Sequence, residues 1–299
     1  MMNWIIVTIF AAFFQNLRSS IQKNLNKEVS TIASTYVRFA FALPLAIILF
    51  FSYFRNIEII KEILVQEKFI VYLILGSLSQ IIFTFILLYL FKFSNFMVGT
   101  SLSKTEVIQV AILEFFILEE KLNKFGASGI VIATLGIIIL SIKDTKLFLK
   151  NLISKTTIIG LVSGLFLALS VVCFRAAALT LGNFESNFEK ALSTLFFGLI
   201  VQTTILTIYI YFFEKEQFSK LYKNKYESFG AGIAGFFATI SWFYAFTLIQ
   251  SSFVRALGQV EIVFSYISSR FYFKEKIKIN EIIGILIFIL GILILLLLK

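Results

Sequence analysis

Long apolar runs separated by short polar breaks fill the chain from end to end. Ten such runs lie near 4–25, 32–54, 69–91, 96–118, 125–142, 156–180, 190–213, 229–249, 252–273 and 279–298. A helix of about 20 apolar residues crosses the roughly 30 Å of a bilayer's hydrocarbon core. The runs lack the period-2 alternation of a lipid-facing barrel strand, so each predicts a membrane-spanning helix. The first run has neither a basic leader nor a small-residue cleavage site, which predicts a retained helix. Three connections exceed a tight turn. The segment 55–68 sets Ile57, Ile60, Ile63 and Leu64 on one face, predicting a short helix in the membrane interface. Lys143–Lys155 is a basic joint, and Glu214–Glu227 reads as a lysine-rich loop.

The pattern repeats. Shifted by 155 positions, Tyr89–Leu140 falls on Tyr244–Leu295 without a gap. The register pairs Phe91 with Phe246, Glu106 with Glu261, Glu120-Lys121 with Glu275-Lys276, Gly129 with Gly284, and Gly136 with Gly291. With a shift of 157, Ala11–Arg18 falls on Ala168–Arg175. The expected fold is therefore all-α and integral to the membrane, with ten helices in two five-helix repeats, 1–147 and 148–299. A unit with an odd number of spans enters the bilayer inverted relative to its copy. A two-fold axis in the membrane plane with matched intramembrane charges is the usual build of a secondary transporter.

Composition narrows the chemistry. Hydrophobic residues make up 59% of the chain and charged residues 15%, too few charges for a soluble domain. Histidine is absent and Cys173 is the one cysteine, which removes the common nitrogen and sulfur metal ligands and the Ser-His-Asp and Cys-His pairs. No nucleotide-binding glycine loop occurs. The expectation is a protein that is not an enzyme and needs no cofactor. The net charge of +10 resides in loop lysines, which suit lipid headgroups and topology rather than nucleic acid. Loops opposite the termini hold 14 lysines against about seven basic residues on the termini's side, and this places the termini outside the cytoplasm. No feature specifies the oligomeric state, which stays open, a monomer included.

The candidate site is the set of charges and amides inside the apolar runs. An ionised group near mid-bilayer costs about 2.5–3.5 kcal/mol on insertion scales, so it faces a partner or a wet cavity. Gln15, Asn16 and Arg18 form a polar break in the first run, and Arg175 recurs in the sixth. Arg38 lies in the second run; Lys104 and Glu106 lie in the fourth; Arg255, Gln259 and Glu261 lie in the ninth. Lys104 and Glu106 are two apart on a helix and diverge by roughly 200°, so their partners must come from other helices or from a substrate. The functional reading is a substrate and ion pathway with both signs of charge, suited to a small metabolite such as an amino acid. Glu106 and Glu261 are also candidates to carry a coupling proton. The competing reading is structural ion pairing between the halves. Glu119-Glu120-Lys121 and Lys274-Glu275-Lys276 read as solvated helix ends, and Glu114 and Arg270 as structural charges. Gly129, Gly136, Gly284 and Gly291, like Gly160 and Gly164, read as packing grooves. Trp242, Tyr244 and Tyr89 read as packing or interfacial aromatics.

These residues carry a resemblance. Phe14-Gln15-Asn16-Leu17-Arg18, Val37-Arg38-Phe39, Leu118-Glu119-Glu120-Lys121-Leu122 and Phe273-Lys274-Glu275-Lys276-Ile277 together resemble the drug/metabolite transporter superfamily, in its EamA-like group of ten-helix permeases. The resemblance spans essentially the whole chain. It implies two inverted five-helix repeats around a central cavity, export or exchange of small metabolites across the cytoplasmic membrane, and cytoplasmic termini, opposite to the lysine count. The prolines common in that family near the positions of Glu106 and Glu261 are absent here. The alternative expectation is a flippase-like carrier of an amphipathic or lipid-linked substrate, motivated by phenylalanine-rich runs and basic loops.

Overall fold

The computed structural model describes residues 3–55, 58–90, 102–142, 154–182, 184, 186–264 and 279–297, with the side chains of 279–281 excepted. Thirteen helices have both ends within these segments, and residues 102–103 and 260–264 are helical as well. The thirteen are α1 (Asn3–Leu25), α2 (Thr31–Ala40), α3 (Leu43–Tyr53), α4 (Glu58–Leu64), α5 (Glu67–Leu90), α6 (Glu106–Leu118), α7 (Lys124–Ser141), α8 (Lys155–Thr180), α9 (Asn187–Phe213), α10 (Gln217–Lys223), α11 (Lys225–Leu248), α12 (Ser251–Gly258) and α13 (Ile279–Leu297). No strand occurs among the described residues. Seven spans, with α2 and α3 counted as one, are long and apolar enough to cross a membrane, and the apolar part of α13, Ile282–Leu297, is shorter. The chain is a multi-pass integral membrane protein.

Local chemistry sets where the helices start and stop. Ser30, Asn123 and Ser154 cap α2, α7 and α8 by accepting a backbone N–H three residues on. Ser186 and Glu189 form a reciprocal capping box at the start of α9. Helix α6 ends at Glu119, whose φ of 55° is left-handed and turns the chain into α7. The second apolar run differs from expectation. It breaks at Phe41–Ala42 because Pro44 opens a new helix within its first two positions. The stretch 214–227 is also more ordered than a loop, since α10 forms inside it with Gln217 and Leu221 buried. The short helix expected near 55–68 appears as α4.

Three helix pairs dominate the packing: α1 against α11, α5 against α8, and α7 against α13. Each pairs one half of the chain with the other. Exchanging matched helices of the halves turns the first pair into the second and the third into itself. The α7–α13 contact is built on the repeated glycines. A Cβ on Gly129 would lie 2.9 Å from the Gly291 carbonyl oxygen, and one on Gly136 would lie 2.8 Å from that of Gly284 and closer still to the Phe288 backbone. Ascending numbers on α7 thus meet descending numbers on α13, so the two helices pack antiparallel with their backbones in contact. Elsewhere large side chains fill the gaps, as where Phe50 of α3 stacks on Phe196 of α9 at 4.1 Å between centroids.

Candidate functional site

The polar break in α1 points inward. Gln15 Nε2 donates to Glu261 Oε2 at 2.6 Å, while Gln15 Oε1 accepts from the Trp242 indole at 2.9 Å. Asn16 Nδ2 donates to the Glu261 backbone carbonyl at 3.1 Å. The amides of α1 therefore fix both the Glu261 carboxylate and the chain that carries it. Lys104 completes this group, with Nζ 2.5 Å from Glu261 Oε1.

Glu106 sits in a second group of similar design. Arg255 grips Glu106 Oε1 through Nε at 3.0 Å and through Nη2, and Gln259 Nε2 donates to the same oxygen at 2.8 Å. Glu106 is 1% exposed, and its Oε2 has no hydrogen-bond partner. The Arg255 guanidinium also lies 4.7 Å over the Trp242 ring, so one indole organises both groups.

The two groups mirror one another across the repeat. Positions 104 and 259 match at the 155-residue shift, as do 106 and 261. Lys104 of the first half holds the carboxylate of the second, and Gln259 of the second half holds the carboxylate of the first. Among the described residues, the cation hydrogen-bonded to each acid comes from the other half, in keeping with the divergence of Lys104 from Glu106.

Between the groups lies a cavity of about 220 Å³ lined by Gln15, Arg18, Lys104, Glu106, Arg255 and Glu261, among others. That is below the roughly 300–1,000 Å³ of drug-sized clefts, so the space suits a small solute. Arg18 is 3% exposed, and its Nε and Nη1 have no hydrogen-bond partner. Arg38 lines an adjoining narrow recess with Gln80 and Trp242. It donates to Thr84 Oγ1 at 2.9 Å, while its Nε has no partner.

Arg175 is placed differently from the expectation. It does not line the cavity but binds at a separate junction of helices. Its Nη2 lies 2.6 Å from Glu120 Oε1, its Nε is 3.7 Å from Glu114 Oε1, and Nη1 donates to the carbonyls of Phe246 and Ile249. Glu114 in turn accepts from the Ser251 and Ser252 backbone N–H groups at 2.5 and 3.0 Å, which caps the N-terminus of α12. Glu120 is therefore an ion-pair partner at the end of α6, not a solvated helix end. The matched residues around Arg18, which are Phe91, Ser94, Ser269 and Glu275, lie outside the described residues, as do Arg270, Lys274 and Lys276.

Sequence reasoning missed other contributors. Gln202 of α9 donates to Gln80 of α5 at 2.8 Å, both buried, and Thr84 serves Arg38. Their signal was available, because an amide inside an apolar run needs a partner for the same reason that a charge does. No group of three or more His, Cys, Asp or Glu able to hold a metal lies among the described residues.

Comparison with known proteins matches the sequence to a family. The model of the EamA-like transporter family matches residues 2–142 and again 154–297, nearly the whole chain in two copies. The chain belongs to the EamA-like transporter family. A solved structure titled "Crystal structure of protein" shares its fold, with a TM-score of 0.72 at 11% identity, covering 100% of this chain and 98% of that one. At that identity the likeness speaks to the fold alone. No curated protein matches the sequence. Membership of the EamA-like family and the apolar helices together make this a multi-pass membrane transporter.

Proposed function

We propose that the chain is a secondary transporter that moves a small polar or amphipathic metabolite, such as an amino acid, across the cytoplasmic membrane as an exporter or exchanger. Ten spanning helices form two inverted five-helix repeats, 1–147 and 148–299, and rocking of one against the other exposes the cavity to each side in turn. The antiparallel crossing of the matched helices α7 and α13 supports inversion, because parallel copies related by an axis along the membrane normal would bring them together side by side in one direction.

The observation that carries the reading is the reciprocal hold on Glu106 and Glu261 from opposite halves around one cavity. A purely structural ion pair has no need of an adjoining space, whereas a site that binds and releases a solute does. Gln15, Asn16, Arg18, Lys104, Glu106, Arg255, Gln259 and Glu261 form the pathway; Arg38 flanks it, and Arg175 acts as a lock away from it. Counterflow of labelled amino acids in proteoliposomes tests this. Exchange that is present in the native protein and lost in Glu106→Gln and Glu261→Gln supports it; flux unchanged by both substitutions discards the role of these acids.

A further inference from the structure

The charges around the cavity do not balance, and the imbalance has a chemical reading. Arg18, Lys104 and Arg255 line it against Glu106 and Glu261, which leaves one positive charge in excess among the described residues. Arg38 in the adjoining recess raises the excess to two. Lys104 and Arg255 are each bonded to an acid, so the surplus falls on Arg18 and Arg38. Arg18 lies within electrostatic reach of Glu261, but that carboxylate already accepts from Gln15 and Lys104. Arg38 lies within electrostatic reach of two further guanidiniums, those of Arg18 and Arg255.

A buried guanidinium without a counter-ion is costly and persists only where something repays it. Its planar fork of donors matches the paired oxygens of a carboxylate or phosphate. The repeat sharpens the point. Arg175, the counterpart of Arg18, is held by Glu120 at 2.6 Å and by two carbonyls, with Glu114 at 3.7 Å, although its Nε makes no hydrogen bond. Arg18 lines the cavity, and its buried Nε and Nη1 make no hydrogen bond.

We propose that the substrate is an anion of net negative charge whose carboxylate or phosphate seats on Arg18, with Arg38 supplying the second positive field. A substrate hydroxyl or ammonium finds an acceptor in the open Oε2 of Glu106. A simple zwitterion brings no net charge and leaves the surplus in place. The word substrate rests on the transporter reading, whereas the anion site rests on the charge balance.

The experiment uses the purified full chain in detergent at constant ionic strength, with thermal unfolding read against glutamate and its neutral match glutamine, and against glycerol 3-phosphate and glycerol. At least one anion raises Tm saturably while its match at equal concentration does not, and the responding pair tells carboxylate from phosphate. Arg18→Gln raises the Tm of the ligand-free protein and weakens the anion's apparent affinity at least tenfold, and Arg18→Lys keeps part of it. Equal shifts from the neutral matches, undiminished affinity in Arg18→Gln and Arg18→Lys, or no shift from either anion overturns the proposal. Counterflow separates the two readings. Anion binding without exchange of any compound keeps the anion site and removes the transporter. Exchange of glutamine but of neither anion keeps the transporter and removes the anion site.

Discussion

Arg18 and Arg175 hold matched places in the first helices of the two halves, yet among the described residues their contacts differ. Arg175 is wedged between Glu114, Glu120 and the carbonyls of Phe246 and Ile249, tying α8 to the end of α6 and to the α11–α12 turn. Arg18 lines the cavity, and its Nε and Nη1 are buried without a hydrogen bond. Among the described residues, the duplicated sequence thus gives one arginine in a closed junction and one at a cavity. Alternating access by two matched halves requires such inequality at any instant, since a carrier sealed at both ends or open at both ends would not couple binding to passage.

The contrast can be broken by substitution, and the largest effect is expected in the cavity wall. Glu106→Ala strands the buried Arg255 and the Gln259 amide, and removal of one partner from a buried pair costs about 3–5 kcal/mol. Equilibrium unfolding in mixed micelles reads the loss; a loss of less than about 1 kcal/mol would mean that water reaches the pair freely. Arg175→Gln comes next. It removes charge-assisted bonds at the sealed junction, each worth about 1.5–3 kcal/mol, and lowers stability by at least one of them. The same change at Arg18 moves stability the opposite way. Equal signs at the two positions would erase the distinction between them. The smallest effect belongs to Lys104→Gln, which gives the first half the residue found at 259 in the second. The Lys104–Glu261 pair borders the cavity, with side chains 21% and 12% exposed, so it behaves closer to a solvated pair and costs about 1 kcal/mol or less.

The sequence carried the outline of this arrangement well. The register that aligned Glu106 with Glu261 also aligned Lys104 with Gln259, and the divergence of Lys104 from Glu106 on one helix required partners from elsewhere. The glycines seven apart on α7 and α13 announced a close helix contact, because only their missing side chains let the backbones touch. Other features could not be read. The chain does distinguish Arg18 from Arg175, since Gln15-Asn16 precede the one and Val172-Cys173 the other and Ser269 stands opposite Glu114 in the repeat register, but only tertiary contacts show that Glu114 and Glu120 reach Arg175. Glu120 looked like a solvated cap because its burial comes from α8, 55 positions away. The break at Phe41–Ala42 was hidden by uninterrupted apolarity, although Pro44 was a local warning.

In the proposed mechanism the Arg175 junction, away from the pathway, is the lock that keeps the Arg18 cavity closed to one face of the membrane. Accessibility of a cysteine at Ser19, which lines the cavity, tests it most directly. In a Cys173→Ser background, sealed vesicles of each orientation are exposed to a membrane-impermeant thiol reagent. With Arg175 intact, Ser19→Cys reacts from one face of the membrane; with Arg175→Gln added, it reacts from both. Labelling confined to the same single face in both proteins would contradict the account.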